Sequence, residues 1–392
     1  MERAHLERIW RKGVEACLPH RVVPQHLPEP PPRGRTILLA SGKAAVPMAR
    51  AAERRWQGPI TGLAVGPHGA GGALDRIGVA TAAHPVPDEA SVEAARRLLA
   101  LAAFAGPDDL VLVLLSGGAS ALACAPGEGL ALEEKEAVTA ALLRSGAAIG
   151  EINCVRRHLS AIKGGRLALA ALPGRLVTLA MSDVLGDRPQ DIGSGPTVAD
   201  FTTAAEARAI LDRYGIPAPA AGWSETPKSV PGEYRIVARG RDALDAAAAE
   251  ARALGYTPHI VECEGEAREA GRAHAEAALS APPGTALISG GELTVTVTGP
   301  GRGGPNREYA LAAAMRLAGS SGICGLAGDS DGIDGSPDAA GAFFDGRTAD
   351  AGAAAALAVN DSGAYLERRG CAFVTGPTGT NVNELRIILR RS

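Results

Sequence analysis

Aromatic side chains make up only 3% of this 392-residue sequence, so alanine and the aliphatic residues must fill whatever core it builds. Lysine is scarcer still, with Lys12, Lys43, Lys135, Lys163 and Lys228 the whole set and nearly every other basic group an arginine. A lysine in a glycine-rich setting is therefore more informative here than in an average chain. No C-x-x-C pair joins the scattered Cys17, Cys124, Cys154, Cys263, Cys324 and Cys371. That spacing argues against a zinc site or a disulfide framework and for reduced thiols in a cytoplasm. No apolar run reaches membrane-spanning length, because "LALAALPGRLVTLAM" is interrupted by Pro173, Gly174 and Arg175. The opening "MERAHLERIW" reads as an amphipathic helix and not as a signal peptide. A net charge of -3 argues against a nucleic-acid surface. A Walker A loop is missing as well, since G-x-x-x-x-G-K-[ST] occurs nowhere in the chain.

What is present is the composition of a globular enzyme, 46% hydrophobic and 21% charged, with length enough for two or three domains. Short apolar runs alternate with alanine-rich helical stretches. "TILLASG", "LAVG", "LVLVLLSGG" and "RLVTLAMSD" are expected to be strands buried on both faces, as in a parallel sheet, with helices over 89–105, 133–148 and 154–171. Residues 216–233 combine Pro, Gly and polar residues and mark a linker, after which the alternation restarts at "YRIVARG". The pattern predicts an α/β protein of two α/β/α layered domains, 1–217 and 232–392. "LTVTVTG" (293–299) alternates in character and is expected to be a strand with one wetter face.

Five loops rich in Ser, Gly or acid each follow an apolar strand, at the sheet edge where open α/β folds bind ligands. They are Ser41-Gly42-Lys43, Ser116-Gly117-Gly118-Ala119-Ser120, Ser182-Asp183, Ser289-Gly290-Gly291-Glu292 and Gly328-Asp329-Ser330-Asp331. Lys43 presents an ammonium just before a helix start, and Ser116 to Ser120 offer backbone amides to an anion. In "NCVRRHLSAIKGGRLA", Arg156 and Lys163 are expected on one face of one helix, aimed at a shared anion, with His158 structural. The segment "GDSDGIDGSPDAAGAFFDGRT" crowds Asp329, Asp331, Asp334, Asp338 and Asp345 together. It is not an EF-hand, because Asp334 stands at the obligatory glycine and Ala340 at the closing glutamate. Mg²⁺ takes one or two carboxylates plus substrate phosphates, so Asp329 and Asp331 are the metal candidates while Asp334 and Asp338 cap turns. Acids, cations and glycine cradles together point to phosphoryl transfer. A rival lies in "GPGRGG" (299–304), which fits G-x-G-x-x-G and keeps a dinucleotide reading open.

The motifs "SGKAA", "HPVPDEAS", "LLSGGASAL", "RRHLSAIKGGRLA", "SDVLGDRPQDIGSGPT", "ISGGELTVTVTG", "GGPNREYALA", "GDSDGIDGSPDAAGA" and "TGPTGTNVNEL" resemble, in order, those of the MOFRL-type (class II) glycerate 2-kinases. The resemblance implies a Rossmann-like first domain, a MOFRL-type second domain and an active site in the cleft between them. It implies ATP-dependent phosphorylation of D-glycerate at the 2-hydroxyl with Mg²⁺, and it matches Lys43 to a lysine regarded as functional in the family. In that frame Lys43 and Arg156 hold carboxylate and phosphate, and Asp183 is either the base that accepts the hydroxyl proton or a water-mediated metal ligand. Ser116, Gly117, Gly118, Ser120, Gly290, Gly291 and Asn306 meet the nucleotide. Lys163, Thr378, Thr380 and Asn381 meet the substrate, and Glu292, Asp329 and Asp331 the metal. Arg302 and Arg307 are expected to flank the phosphates as exposed cations. Arg307 departs from the Gln usual in the family and Arg188 from a frequent Asp. Hydroxypyruvate reduction with NAD(P)H is the alternative, since some members of the family carry that label. The expected partners are small molecules, with neither nucleic acid nor membrane, and the expected state is a cytoplasmic monomer or homodimer.

Overall fold

Six strands organise the first of two units, Pro19–Val237. They are β1 (Thr36–Ser41), β2 (Ile60–Pro67), β3 (Gly78–Ala82), β4 (Leu110–Leu115), β5 (Arg175–Met181) and β6 (Glu233–Ala238). Every residue of β1 and β4 is buried, which requires helices on both sides of the sheet. The strand order is β3-β2-β1-β4-β5-β6, with β1 parallel to β2 and β4, β2 to β3, and β4 to β5. This is the doubly wound order in which the winding reverses between β1 and β4. The structure, a computed structural model, describes residues 2–336 and 338–391, so Pro337 of the acidic segment lies outside them. No helix among the described residues is long and apolar enough to cross a membrane.

The second unit comprises Met1–Leu18 and Ala238–Ser392. Its strands are β7 (Thr257–Glu262), β8 (Gly265–Glu266), β9 (Thr285–Gly290), β10 (Leu293–Thr294), β11 (Ile323–Asp329), β12 (Gly341–Asp345), β13 (Ala372–Phe373) and β14 (Glu384–Arg390). Six of them form a mixed sheet in the order β13-β12-β11-β14-β9-β7, and β8 pairs with β10 alone. Its core is rich in alanine around a few aromatics, among them Trp10, Tyr309, Phe344 and Phe373. The helix Pro305–Leu317 buries an unbroken run from Asn306 to Ala314. It packs so closely on the helix Ala267–Ser280 that a Cβ on Gly271 would collide with the Tyr309 carbonyl.

Several sequence expectations change here. The opening helix Glu2–Ala16 does not join residues 19–217, because its Leu6, Ile9, Trp10 and Val14 pack with Leu244, Ile387 and Leu389 of the second unit. "YRIVARG" does not open a new sheet but supplies β6, the last strand of the first. The proline-rich stretch before it is packed, with Trp223 against the Leu142–Leu211 cluster and Ser224 N on the His158 carbonyl at 3.1 Å. The expected strand 293–299 shrinks to Leu293–Thr294, and the side chain of Glu266 accepts hydrogen bonds from Thr296 beyond it. The helix expected over 154–171 breaks into Ile149–His158 and Arg166–Ala170. Ser160 bridges to Pro126, and Gly164 and Gly165 take left-handed φ of 57° and 84°, which ends one helix and restarts another.

Candidate functional site

At the reversal point of the first sheet the loops after β1 and β4 are tied together. Lys43 N donates to the Gly117 carbonyl at 2.8 Å, Ser116 N to the Ser41 carbonyl at 3.2 Å, and Ala44 N to the buried Ser116 hydroxyl at 3.0 Å. Gly42 takes φ +133°, and a side chain there would run into the Ser116 hydroxyl. Lys43 therefore leaves a backbone locked against the Ser-Gly-Gly loop, half-buried, with its Cγ 3.3 Å from where a Gly118 side chain would begin. Asp183, also half-buried, follows Ser182 at the carboxyl end of β5, the next strand along the same edge.

The break after His158 removes Lys163 from the helix that carries Arg156, yet the two cations still influence one another. Lys163 is buried and its ammonium donates to the Ser120 carbonyl at 2.7 Å, while Ser120 Oγ lies 2.7 Å from Ser194 Oγ. Burial pushes Lys163 well below the usual lysine range, and Arg156 and Lys135 push the same way. Burial also lowers Lys135 to about 8, where its ammonium donates to the Arg156 carbonyl at 3.2 Å and to that of Leu159. Lys135 was missed in the sequence although lysine scarcity was its signal. His158 is structural as expected, fully buried with Nδ1 2.9 Å from the Cys154 carbonyl, and burial lowers its pKa. Arg188 pairs with Asp191 at 2.7 Å, and Asp191 also accepts from Asn153 at 3.0 Å, so both order their loop.

In the second unit β9 and β11 both run antiparallel to β14, so Gly290-Gly291-Glu292 and Asp329-Ser330-Asp331 emerge at one edge, where β14 begins. Asp329 lies in register with Glu384, and Ser330 N donates to the Asn383 carbonyl at 3.1 Å. One oxygen of Asp329 accepts the Asp331 amide at 2.9 Å, and one of Asp331 accepts the Ile333 amide at 2.8 Å. Glu292 is exposed. Among the described residues no group of three or more His, Cys, Asp or Glu is placed to hold a metal. The Thr378–Asn381 loop joins this edge through Thr378 N on the Asp331 carbonyl at 3.0 Å. Its hydroxyls are committed inward, Thr378 to the Ser330 carbonyl and Thr380 to that of Cys17 at 2.7 Å, so both threonines support the loop. Asn381 is buried beside them.

Two further expectations fail at this edge. Asn306 is fully buried and its amide serves Asp334 at 3.3 Å and Glu384 at 3.4 Å, which withdraws it from a nucleotide. Arg307 is not an exposed cation: Asp334 holds its Nε at 3.0 Å and accepts the amides of Asn306 and Arg307, each at 2.9 Å. Arg302 is exposed but paired, with Asp338 at 3.0 Å and with Glu367. Asp334 thus caps the helix Pro305–Leu317, close to its expected role. "GPGRGG" is no open cradle either, because a side chain on Gly301 would collide with Val359 and Asp361, and one on Gly304 with Asp334. Beneath the edge, Glu384 pairs with the fully buried Arg386 at 2.9 Å and accepts the Leu293 amide at 3.1 Å. Burial pushes Glu384 up to about 7 against the pull of Arg386, whose guanidinium also steadies the Gly291 carbonyl at 2.6 Å. Neither residue carried a sequence signal.

Two family models match the chain, one described as a domain of unknown function (DUF4147) over residues 5–224 and one as the MOFRL family over 285–384. The chain is 42% identical to a D-glycerate 2-kinase of Thermotoga maritima, over 97% of its own length and 96% of that protein. It is 47% identical to a protein of Agrobacterium vitis named putative hydroxypyruvate reductase, over 98% of its length and 93% of that protein. The crystal structure of a Thermotoga maritima glycerate kinase matches with a TM-score of 0.87 and 41% identity, covering 97% of each chain.

Proposed function

The chain belongs to the MOFRL-type glycerate kinase family, and on that premise we propose that it transfers the γ-phosphoryl group of ATP to the 2-hydroxyl of D-glycerate. The observation that carries the reading is Lys43 locked over the Ser-Gly-Gly loop at the reversal point of the parallel sheet, in a chain so similar to a D-glycerate 2-kinase. In the transfer the 2-hydroxyl oxygen forms the new P–O bond, the bond to the β-phosphate bridge breaks, and ADP leaves. Lys43 and the Gly117–Gly118 amides offset charge on the transferring group. Asp183 takes the hydroxyl proton. Arg156, Lys163 and Lys135 form a like-charged group that an anionic ligand would stabilise, and Ser120 lies against it.

Mg²⁺ fits this donor set only as an ion arriving with ATP, because Asp329 and Asp331, even with Glu292 following β9 at the same sheet edge, fall short of an all-protein cage. Bound there it would neutralise phosphate charge. Asp329→Asn and Asp331→Asn should each raise the Mg²⁺ concentration that gives half-maximal rate, and Asp338→Asn, whose carboxylate serves Arg302 and Arg307, should do much less. Equal shifts in all three variants would remove the distinction between metal and structural carboxylates.

A reductase of this fold would place its dinucleotide turn after β1, where the chain reads Ser41-Gly42-Lys43-Ala44 and lacks the G-x-G-x-x-G spacing. One assay separates the readings: ADP release with D-glycerate and ATP supports the kinase, and NADH loss with hydroxypyruvate without ADP release overturns it. The six free cysteines suit a reducing cytoplasm.

A further inference from the structure

We propose that His84 is a further substrate-contacting residue, its imidazole donating a hydrogen bond to the anionic group that Lys43 and the Gly117–Gly118 loop receive. The placement comes from Gly118. A side chain there would begin 2.9 Å from His84 Cδ2, 3.1 Å from Nε2 and 3.3 Å from Lys43 Cγ, so imidazole and lysine stem flank the same glycine. Gly118 takes φ +80°, and both its backbone and its neighbours require the missing Cβ. His84 follows β3 by two residues, yet β3 is separated from β4 by β2 and β1. The loop has to carry the ring across two strand ends to reach Gly118.

That reach is built in and held. Asp88 Oδ1 accepts the Ala83 amide at 3.2 Å, immediately before His84, and the Ser91 amide at 2.9 Å as the cap of the helix Glu89–Ala103. The Ser91 hydroxyl in turn accepts from the Asp88 amide at 3.1 Å, and the Ser91 carbonyl accepts from Cys124 N at 3.2 Å, just beyond the glycine loop. His84 nonetheless stays exposed, so core packing does not account for it. Three loops of one sheet edge thus bring a lysine stem, an imidazole and the Gly117–Gly118 backbone together around a single glycine. An imidazole N–H aimed at an anion complements a lysine as a directional donor beside a point charge.

The identity of the anion as a substrate of phosphoryl transfer rests on the kinase reading, and the test separates the two. The imidazole Cε1–H signal of His84, assigned by its loss in His84→Gln, is followed by NMR in unaltered protein as ATP, D-glycerate or inorganic phosphate is added. It should move saturably with at least one of the three. In steady state His84→Ala should lose about 10- to 100-fold in kcat/KM for that ligand. His84→Gln, which keeps an N–H donor, should retain most of the rate, and both variants should melt with the wild type. A signal indifferent to all three anions, or a His84→Ala enzyme with wild-type kcat and KM values, overturns the proposal. If D-glycerate yields no ADP but the signal still moves, the kinase reading fails and the contact stands. If ADP forms and the signal does not move, the reverse holds.

Discussion

Replacing Lys43 by alanine should lower kcat about 10²-fold or more, because withdrawing a preorganised cation from a transferring phosphoryl group costs several kcal/mol. The effect belongs in kcat, since the cation gains most as charge develops in the transition state. Stability should hardly change. The bonds that fix the loop are made by the Lys43, Ala44 and Ser116 amides and the Ser116 hydroxyl, none of which the substitution removes. Lys43→Arg should recover only part of the rate, as a planar guanidinium replaces a compact ammonium beside Gly118 and His84. Steady-state kinetics with thermal melts check both variants, and a near-normal kcat in Lys43→Ala would remove the lysine from the chemistry.

The largest loss of stability should come from Asp334→Ala. Asp334 and Arg307 have side chains 0% and 2% exposed, and the same carboxylate caps the helix that forms the centre of the second unit. Removing it leaves a guanidinium buried without its main counter-charge, a situation that costs about 3–5 kcal/mol. Arg302→Ala is the contrast. That side chain is half exposed, and its pairs with Asp338 and Glu367 should contribute about 0–1 kcal/mol. Urea titration monitored by circular dichroism compares them, and equal midpoints would contradict the assignment of Arg307 as a buried anchor.

The fate of Arg307 shows where sequence reading stops. An arginine after a glycine-rich run looks like a phosphate-binding cation, and only the return of Asp334 over the helix start turns it inward. Asn306 was misplaced for the same reason. The parallel sheet was legible because β1, β4 and β5 are continuous apolar runs, and the loops after them mark its ligand edge. By contrast "ELRIILR" was not recognised as β14, the strand between β9 and β11, since the buried Arg386 interrupts its apolar character. The break after His158 had a visible sign in Gly164-Gly165, but the helical spacing of Arg156 and Lys163 masked it. His84 lies in "HPVPDEAS" without a local sign of a role, because its neighbourhood with Gly118 spans four strands of the sheet.

The central claim is transfer to the secondary hydroxyl, and proton-coupled ³¹P NMR of the product reads it directly. Phosphate on C2 couples to a single methine proton and gives a doublet, whereas phosphate on C3 couples to a methylene and gives a triplet. Incubation with ATP and D-glycerate should yield ADP and a new phosphomonoester doublet. A triplet, or no new phosphomonoester while NADH is consumed with hydroxypyruvate, would contradict the account.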